Sequence, residues 1–549
     1  MKNFSYIERN SLLEEIEEGQ YDVIVIGGGI TGTGIALDCT TRGLKTLLVE
    51  MQDFAAGTSS RSTKLVHGGL RYLKQFKVKM VANVGKERAI VYENAPHVTH
   101  PEWMLLPIYK KGTFGKYSTS FGLKIYDFLA GVKREEKRQM LSRKETLRKE
   151  PLLSEEGLLG GGNYVEYQTD DARLTIEVVK KASEHGADLL NYVKVEKFNY
   201  NSTGQITGVY MTDELTGRRY HANGNLIVNA TGPWVEDVIE MDQKIAGKSL
   251  LLTKGVHIVF DRKKLPLRQP IYFDTPDGRM VFAIPRNGKT YVGTTDTVYE
   301  EDLLHPTITT EDKIYLLDCI QTRFPKTLVR MDDIQSTWAG IRPLIQQVGK
   351  GPSEISRKDE IWTSTTGLIT IAGGKLTGYR KMAETITDLL SSRLKKEGIQ
   401  SGECVTRNMK LSGGDFINLK DYPNFIEEKA IELSALGMSI SDGASIAALY
   451  GTNTDEIIGL ENELHQESEL PLPIKLTLHY AINHEMVITP VDYFMRRTGT
   501  IFFDINWVQM WKELAVDYME QVFEWTHERK LKMAAELELR IAEAVGSHD

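Results

Sequence analysis

The sequence predicts a mixed α/β protein with an N-terminal βαβ unit, an antiparallel sheet later in the chain and a helical C-terminal region. Three observations carry that prediction. A compact apolar strand runs directly into a glycine-rich turn near the N-terminus. Short β-rich runs separated by turn residues recur after about residue 250. Beyond about Gln400 the apolar periodicity becomes helical.

The first strand, Tyr21 to Ile26, reads YDVIVI, an unbroken apolar run suited to a buried parallel strand. It passes into Gly27-Gly28-Gly29-Ile30-Thr31-Gly32, a helical stretch from Thr33 to Arg42, and a second strand from Lys45 to Val49 that ends in Glu50. Strand, GxGxxG, helix, strand and an acid about 20 residues on form the Rossmann dinucleotide fingerprint. Gly27 permits the tight turn, Gly29 lets a pyrophosphate approach the backbone, and Gly32 lets helix and strand pack closely. Gly28, Ile30 and Thr31 complete the turn, whose helix N-terminus offers N–H groups and a positive dipole to phosphates. Glu50 is the acceptor for a ribose diol. The fingerprint stands at the extreme N-terminus with several hundred residues after it, which favours FAD as a resident cofactor over NAD.

The antiparallel sheet is expected from Leu250 to Phe260, Gln269 to Phe273, Met280 to Pro285 and Lys289 to Thr294, with turns at Pro276-Asp277-Gly278 and Arg286-Asn287-Gly288. The C-terminal helices are clearest over Ile426 to Leu436 and Met510 to Val545, and Ser412-Gly413-Gly414 reads as a linker.

Size and composition bound the rest. A chain of 549 residues exceeds one ordinary domain and predicts two or three around a shared core. A net charge of −8 argues against a nucleic-acid binder, which normally carries a basic excess. Cys39, Cys319 and Cys404 are widely separated and form no CxxC pair, so neither a disulfide framework nor a metal site is expected and a reducing cytosol fits. Glu14, Glu15, Glu17 and Glu18 occupy the place where a signal peptide needs positive and apolar residues, and Ser11 with Glu14 reads as a capping box opening a short helix. No stretch approaches the roughly 20 apolar residues of a membrane span, so any membrane contact is expected at the surface.

Four further segments carry a resemblance. Phe54 to Lys64 is a hydroxyl-rich loop, and it continues as Leu65-Val66-His67-Gly68-Gly69-Leu70-Arg71-Tyr72-Leu73. Asn229-Ala230-Thr231-Gly232-Pro233-Trp234, Trp338 to Leu344 (with AGIRPL) and Ala372 to Arg380 (with GGKLTGYR) follow in order, Gly378 standing where a threonine is frequent. Together these resemble the FAD-dependent, quinone-linked glycerol-3-phosphate dehydrogenases over essentially the whole chain, including Arg496-Arg497-Thr498 in a helical tail.

That resemblance implies a fold like that of D-amino-acid oxidase. A dinucleotide domain (about 20–75, 150–245 and 335–400) would interleave with a substrate sheet (about 76–149 and 246–334) within residues 1–400, and residues 401–549 would form a helical domain. The implied activity is oxidation of sn-glycerol 3-phosphate to dihydroxyacetone phosphate, with FAD taking the hydride and a quinone the electrons. Rival readings are an oxidase of the same family, which reduces oxygen and is typically longer through an insertion, and an amine or hydroxy-acid oxidase, which binds a carboxylate instead. A non-catalytic flavin module would need the fingerprint without the cationic motifs.

Oxidising a phosphorylated secondary alcohol needs a hydride acceptor, a base and cations for the phosphate. The resemblance places His67 beside the flavin as candidate base, with His257 the runner-up. It places Arg71, Arg342 and Lys375 at the substrate pocket, with Tyr72 and Arg357 as lesser members. Thr58, Ser59, Ser60, Ser62 and Thr63 are expected to bond flavin phosphate or ring atoms or to cap a helix. Thr231 and Gly232 lie on the second flavin-contact strand, and Gly374, Leu376 and Thr377 with Lys375 on the ring-edge turn. Basic residues around Phe121, Ile125, Phe128, Leu129 and Val132, at helical spacing within 116–138, suit either an interfacial helix on the inner face of the cell membrane or a helix packed on its own domain. A homodimer is compatible with all of this.

Overall fold

A computed structural model of the chain describes residues 4–67, 78–110, 112–113, 115, 122–125, 136–242, 249–346, 359–465 and 468–546. Two sheets organise it. The first is parallel at its centre, in the order Glu360–Thr363, Ile369–Ala372, Arg219–Asn229, Gln20–Ile26, Thr46–Val49, Asp188–Leu190. Val193–Tyr200 and Ile206–Asp213 extend it by antiparallel pairing from Arg219–Asn229. Residues Val23 to Ile26 are buried on both faces, as an apolar run without alternation requires. One face is covered by helices Ile30–Thr41, Asp171–Glu184 and Tyr379–Leu394. At Gly34 a Cβ would lie 3.0 Å from the Tyr379 ring, which explains a glycine in mid-helix.

Among the described residues the second sheet has ten strands. Its backbone is two long antiparallel pairs, Leu250–Asp261 with Ile334–Ile345 and Thr99–Tyr109 with Leu158–Thr169. Lys289–Gly293, Met280–Arg286 and Ile271–Asp274 bridge them, and the short strand Leu65–Val66 joins at the edge beside Leu158–Thr169. Leu65–Val66, Leu158–Thr169 and Ile334–Ile345 thus all belong to the second sheet. Strands of both sheets are heavily buried, so their apolar runs carry no mark of which sheet they join.

The C-terminal helices include Tyr422–Ser434, Ile440–Tyr450, Leu472–His484, Ile505–Phe523 and His527–Val545. The single helix expected over Met510 to Val545 is broken at Glu524, which takes φ +50, and Thr526 caps the helix that follows. Ser412-Gly413-Gly414 is no loose linker. Ser412 is buried, and a Cβ at Gly414 would overlap the Asn94 carbonyl. The N-terminal helix spans Tyr6–Glu18 and is capped by Ser5, whose hydroxyl accepts from Ile7 N, while Ser11 lies inside it and donates to the Glu8 carbonyl. The nucleotide helix starts at Ile30, three residues before the sequence pattern suggested, because Gly29 itself serves as its N-cap.

A buried ionic network binds the C-terminal region to the first sheet's loops. Asp53 receives Arg497 through Nη1 at 2.7 Å and Nη2 at 2.9 Å, together with Arg496 Nε and, at 3.1 Å, Asn191 Nδ2. Arg496 also donates to Asp492, which accepts from the Tyr192 hydroxyl, each at 2.6 Å. On the same side Glu485 joins Arg173 and Lys180. The Arg496-Arg497 pair singled out in the sequence is therefore the plug that seats the C-terminal helices. Cys39, Cys319 and Cys404 are unpaired thiols. Among the described residues no helix is long and apolar enough to cross a membrane.

Candidate active site

The glycine turn builds one end of the site. Gly27 takes φ +110, and a Cβ there would lie 2.7 Å from the Ala230 carbonyl on the neighbouring strand. At Gly32 a Cβ would overlap the Gly27 carbonyl, so helix and turn approach only because it is absent. Gly28 is confined differently: a Cβ would sit 2.8 Å from both Glu50 and Phe54 side chains. Gly29 is the open one. Its nearest neighbour is the Ser59 hydroxyl at 3.1 Å, and the space beyond is cavity. Ile30 N donates to that same Ser59 Oγ at 2.9 Å, so the hydroxyl loop is stitched to the helix N-terminus. Glu50 closes the turn, accepting from Gly28 N at 2.6 Å and Gln52 N at 2.8 Å; burial raises its carboxyl above the usual range.

From this turn a cavity of about 510 Å³ runs between the two sheets. Gly27, Gly29, Ile30, Thr31 and Glu50 line one end, with Met51 and Val193 to Val195 beside them. Its middle is walled by Thr58, Ser59, Ser62, Thr63, Thr231, Gly232 and Trp234. The far end holds His67, His257, Arg342, Gly374, Lys375, Leu376 and Thr377. Gly28, Gly32 and Ser60 do not line it; Ser60 is buried with its hydroxyl toward the Gly57 carbonyl. The size is that of a cofactor site. An extended dinucleotide fits the sequence of walls: backbone N–H groups at a helix start whose N-cap is a glycine, then hydroxyls, then cations and histidines.

The second sheet supplies the far end. His257 stacks on Trp338, with centroids 4.6 Å apart, and shares a hydrogen bond with Thr63 Oγ1 at 3.1 Å. Burial, then the charges of Arg342 and Lys64, hold it far below the ordinary histidine value, so the ring is neutral. Its Nδ1 has no hydrogen-bond partner among the described residues. Arg342 donates to Thr294 Oγ1 at 2.8 Å and to the Thr295 carbonyl and Asp296 at 3.1 Å, which sets the plane of its guanidinium. His67 places its ring edge-on to Phe282, and its carbonyl accepts from Thr377 Oγ1 at 3.2 Å, tying the two motif loops together. Lys375 is the N-cap of a short turn, Leu376–Gly378, after Gly373 and Gly374 at φ +81 and +87.

The structure therefore gathers His67, His257, Arg342, Lys375 and Thr377 on one cavity. Arg71, Tyr72 and Arg357 lie outside the described residues, as does most of the 116–138 segment. Sequence reading passed over Gly255 and Gly293, whose Cβ atoms would overlap the Arg342 guanidinium and the His257 ring. Glycine inside a strand was the available signal.

The comparisons with known proteins fall on the same elements. The FAD dependent oxidoreductase family matches residues 22–380, and the C-terminal domain of alpha-glycerophosphate oxidase matches 404–530. The aerobic glycerol-3-phosphate dehydrogenase of Bacillus subtilis strain 168 is 57% identical over 99% of this chain and 98% of its own length. The chain belongs to that dehydrogenase family. Its Staphylococcus epidermidis member is 52% identical over 100% of this chain and 99% of its own. The crystal structure of the Bacillus halodurans glycerol-3-phosphate dehydrogenase complexed with FAD superposes with a TM-score of 0.85 at 45% identity, covering 99% of this chain and 98% of that one. Family membership accounts for both sheets, the helical tail and the nucleotide cradle.

Proposed function

We propose that this chain oxidises sn-glycerol 3-phosphate to dihydroxyacetone phosphate at an FAD held in the cavity, and passes the electrons to a quinone at the membrane surface. The carrying observation is the continuity of one cavity, with a phosphate-binding backbone turn at one end and two cations beside two histidines at the other. The full-length likeness to aerobic glycerol-3-phosphate dehydrogenases supports the same substrate. Gly27, Gly29 and the start of the helix would hold the pyrophosphate, and Leu376 and Thr377 the ring edge. When bound, FAD supplies the hydride acceptor.

The residues of the chain do the remainder. Arg342 and Lys375 offset the phosphate charge, which the net charge of −8 would otherwise repel. Thr294 and Asp296 hold the Arg342 fork in one orientation, the geometry a phosphate needs. The hydroxyl proton goes to a histidine on the wall. His67 is our first assignment, and His257, whose ring is kept neutral by burial and by the neighbouring charges of Arg342 and Lys64, is the runner-up.

The test is anaerobic titration of the purified protein with glycerol 3-phosphate. We expect flavin absorbance to bleach stoichiometrically and to return faster with a quinone analogue than with air; fast return in air alone would make the protein an oxidase.

Arg342 gives a second expected result. Arg342→Lys should leave flavin bound but lower kcat/KM for glycerol 3-phosphate about tenfold to a hundredfold, the worth of a lost charged hydrogen bond of ~1.5–3 kcal/mol. Use of unphosphorylated glycerol should be unchanged. An equal loss on both substrates would show that Arg342 acts on the alcohol or on the fold.

A further inference from the structure

We propose that the guanidinium of Arg61 is a phosphoryl-binding group of this cavity. The inference rests on the reading that the cavity takes FAD and a phosphorylated alcohol. Arg61 stands in the hydroxyl loop between Ser59, which meets the helix start, and Thr63, which meets His257. It lines the cavity and is only half-buried. Among the described residues its guanidinium makes no hydrogen bond and no ion pair. The cations around it are otherwise paired: Lys64 with Asp171, Arg342 with Asp296, Arg496 and Arg497 with Asp53.

The titratable groups around Arg61 come from three elements. Arg496 approaches from the Asp492–Arg497 turn, Arg540 and Glu543 from helix His527–Val545, and Tyr299 from the second sheet's edge. Glu543 is already committed to Arg540 at 2.7 Å. Arg540 is itself 6% exposed, keeps Nε without a partner among the described residues, and touches His305. Desolvation, with the like charges of Arg496 and Arg540, pushes the Arg61 guanidinium down to about 10, so it remains cationic at neutral pH. A cation held among cations without a counter-ion is unfavourable until an anion joins it. Phosphoryl oxygens match its planar fork. Two sources reach this cavity: the pyrophosphate of the cofactor and the phosphate of the substrate.

Holoenzymes carrying Arg61→Met, which keeps the bulk, and Arg61→Lys, which keeps the charge, separate these sources. One arm measures the fraction of flavin retained after exhaustive dialysis. The other measures KM for glycerol 3-phosphate against glycerol, and the flavin spectral response to inorganic phosphate. In one arm we expect a loss of about tenfold or more with Arg61→Met, partly recovered by Arg61→Lys. Flavin loss at unchanged KM assigns the pyrophosphate. A raised KM for glycerol 3-phosphate alone, with a weakened phosphate response, assigns the substrate. Both arms within about twofold of the unmodified enzyme would overturn the proposal. If Arg61→Met fails to fold, Arg61→Gln carries the same two arms. An unmodified enzyme that glycerol 3-phosphate does not bleach would instead sink the functional reading, leaving the dialysis arm decisive for Arg61.

Discussion

A Gly29→Val variant should fold normally and purify without flavin. Gly29 has φ −77 and ψ 175, an extended conformation any residue adopts, and a Cβ there would meet only the Ser59 hydroxyl at 3.1 Å. The protein therefore accommodates the side chain with a small shift of the Ser59 hydroxyl, whereas the cofactor loses its approach. The methyl groups would occupy the space through which a pyrophosphate reaches the N–H groups at the start of helix Ile30–Thr41. Losing two charged hydrogen bonds costs about 3–6 kcal/mol, or roughly 10²–10⁴ in affinity. Flavin absorbance relative to protein, alongside an unchanged far-ultraviolet circular dichroism spectrum and melting profile, is the check. Valine at Gly27 or Gly32 should behave differently and damage the fold. Gly27 needs a positive φ, and Gly32 has a carbonyl where the Cβ would be. Full flavin occupancy in a folded Gly29→Val protein would remove the turn from the cofactor site.

Asp53→Asn should loosen the C-terminal helices from the rest of the molecule. The Asp53 carboxylate is the shared anion of Arg496 and Arg497, all three buried. An asparagine turns at least one acceptor into a donor that faces guanidinium N–H groups, leaving Arg496 with Asp492 and Arg497 with the more distant Glu485 as their remaining anions. Breaking such a pair costs about 3–5 kcal/mol. Although burial alone would raise it, the two arginines hold the Asp53 carboxyl down to about 2. A carboxyl with a depressed folded-state pKa contributes stability that is complete above the ordinary carboxylate range. That contribution is lost as pH falls through about 2. The difference in melting temperature between the two forms should therefore be full at neutral pH and shrink below about pH 4. Limited proteolysis should cut the variant first near residues 401–421 if the helical region opens as a unit. Equal melting at neutral pH would mean that the network is decoration.

The parts of this protein legible in its sequence are those where a short stretch of chain satisfies a local requirement. The strand, glycine turn and helix from Tyr21 to Thr41 could be read because positive φ, tight packing and backbone access each demand glycine within a few residues. The far-end cations and histidines were legible as motifs, and only the family resemblance grouped them at one pocket. Their sources, near residues 67, 257, 342 and 375, are separated by tens to hundreds of positions.

What brings them together is the pairing of Leu250–Asp261 with Ile334–Ile345, and of Leu65–Val66 with Leu158–Thr169. Long-range register of that kind leaves no local trace in strands buried on both faces. Tertiary structure also decided the assignments that sequence left as alternatives. Ser60 faces inward and Ser59 faces the cavity, although both are hydroxyls in one loop. Arg497 meets an aspartate more than four hundred positions away, while Arg61, equally charged, is given no partner among the described residues. Charge and residue type are written in the chain, but whether a charge is neutralised depends on what the fold sets beside it, since Coulomb energy and desolvation are properties of distance and burial alone.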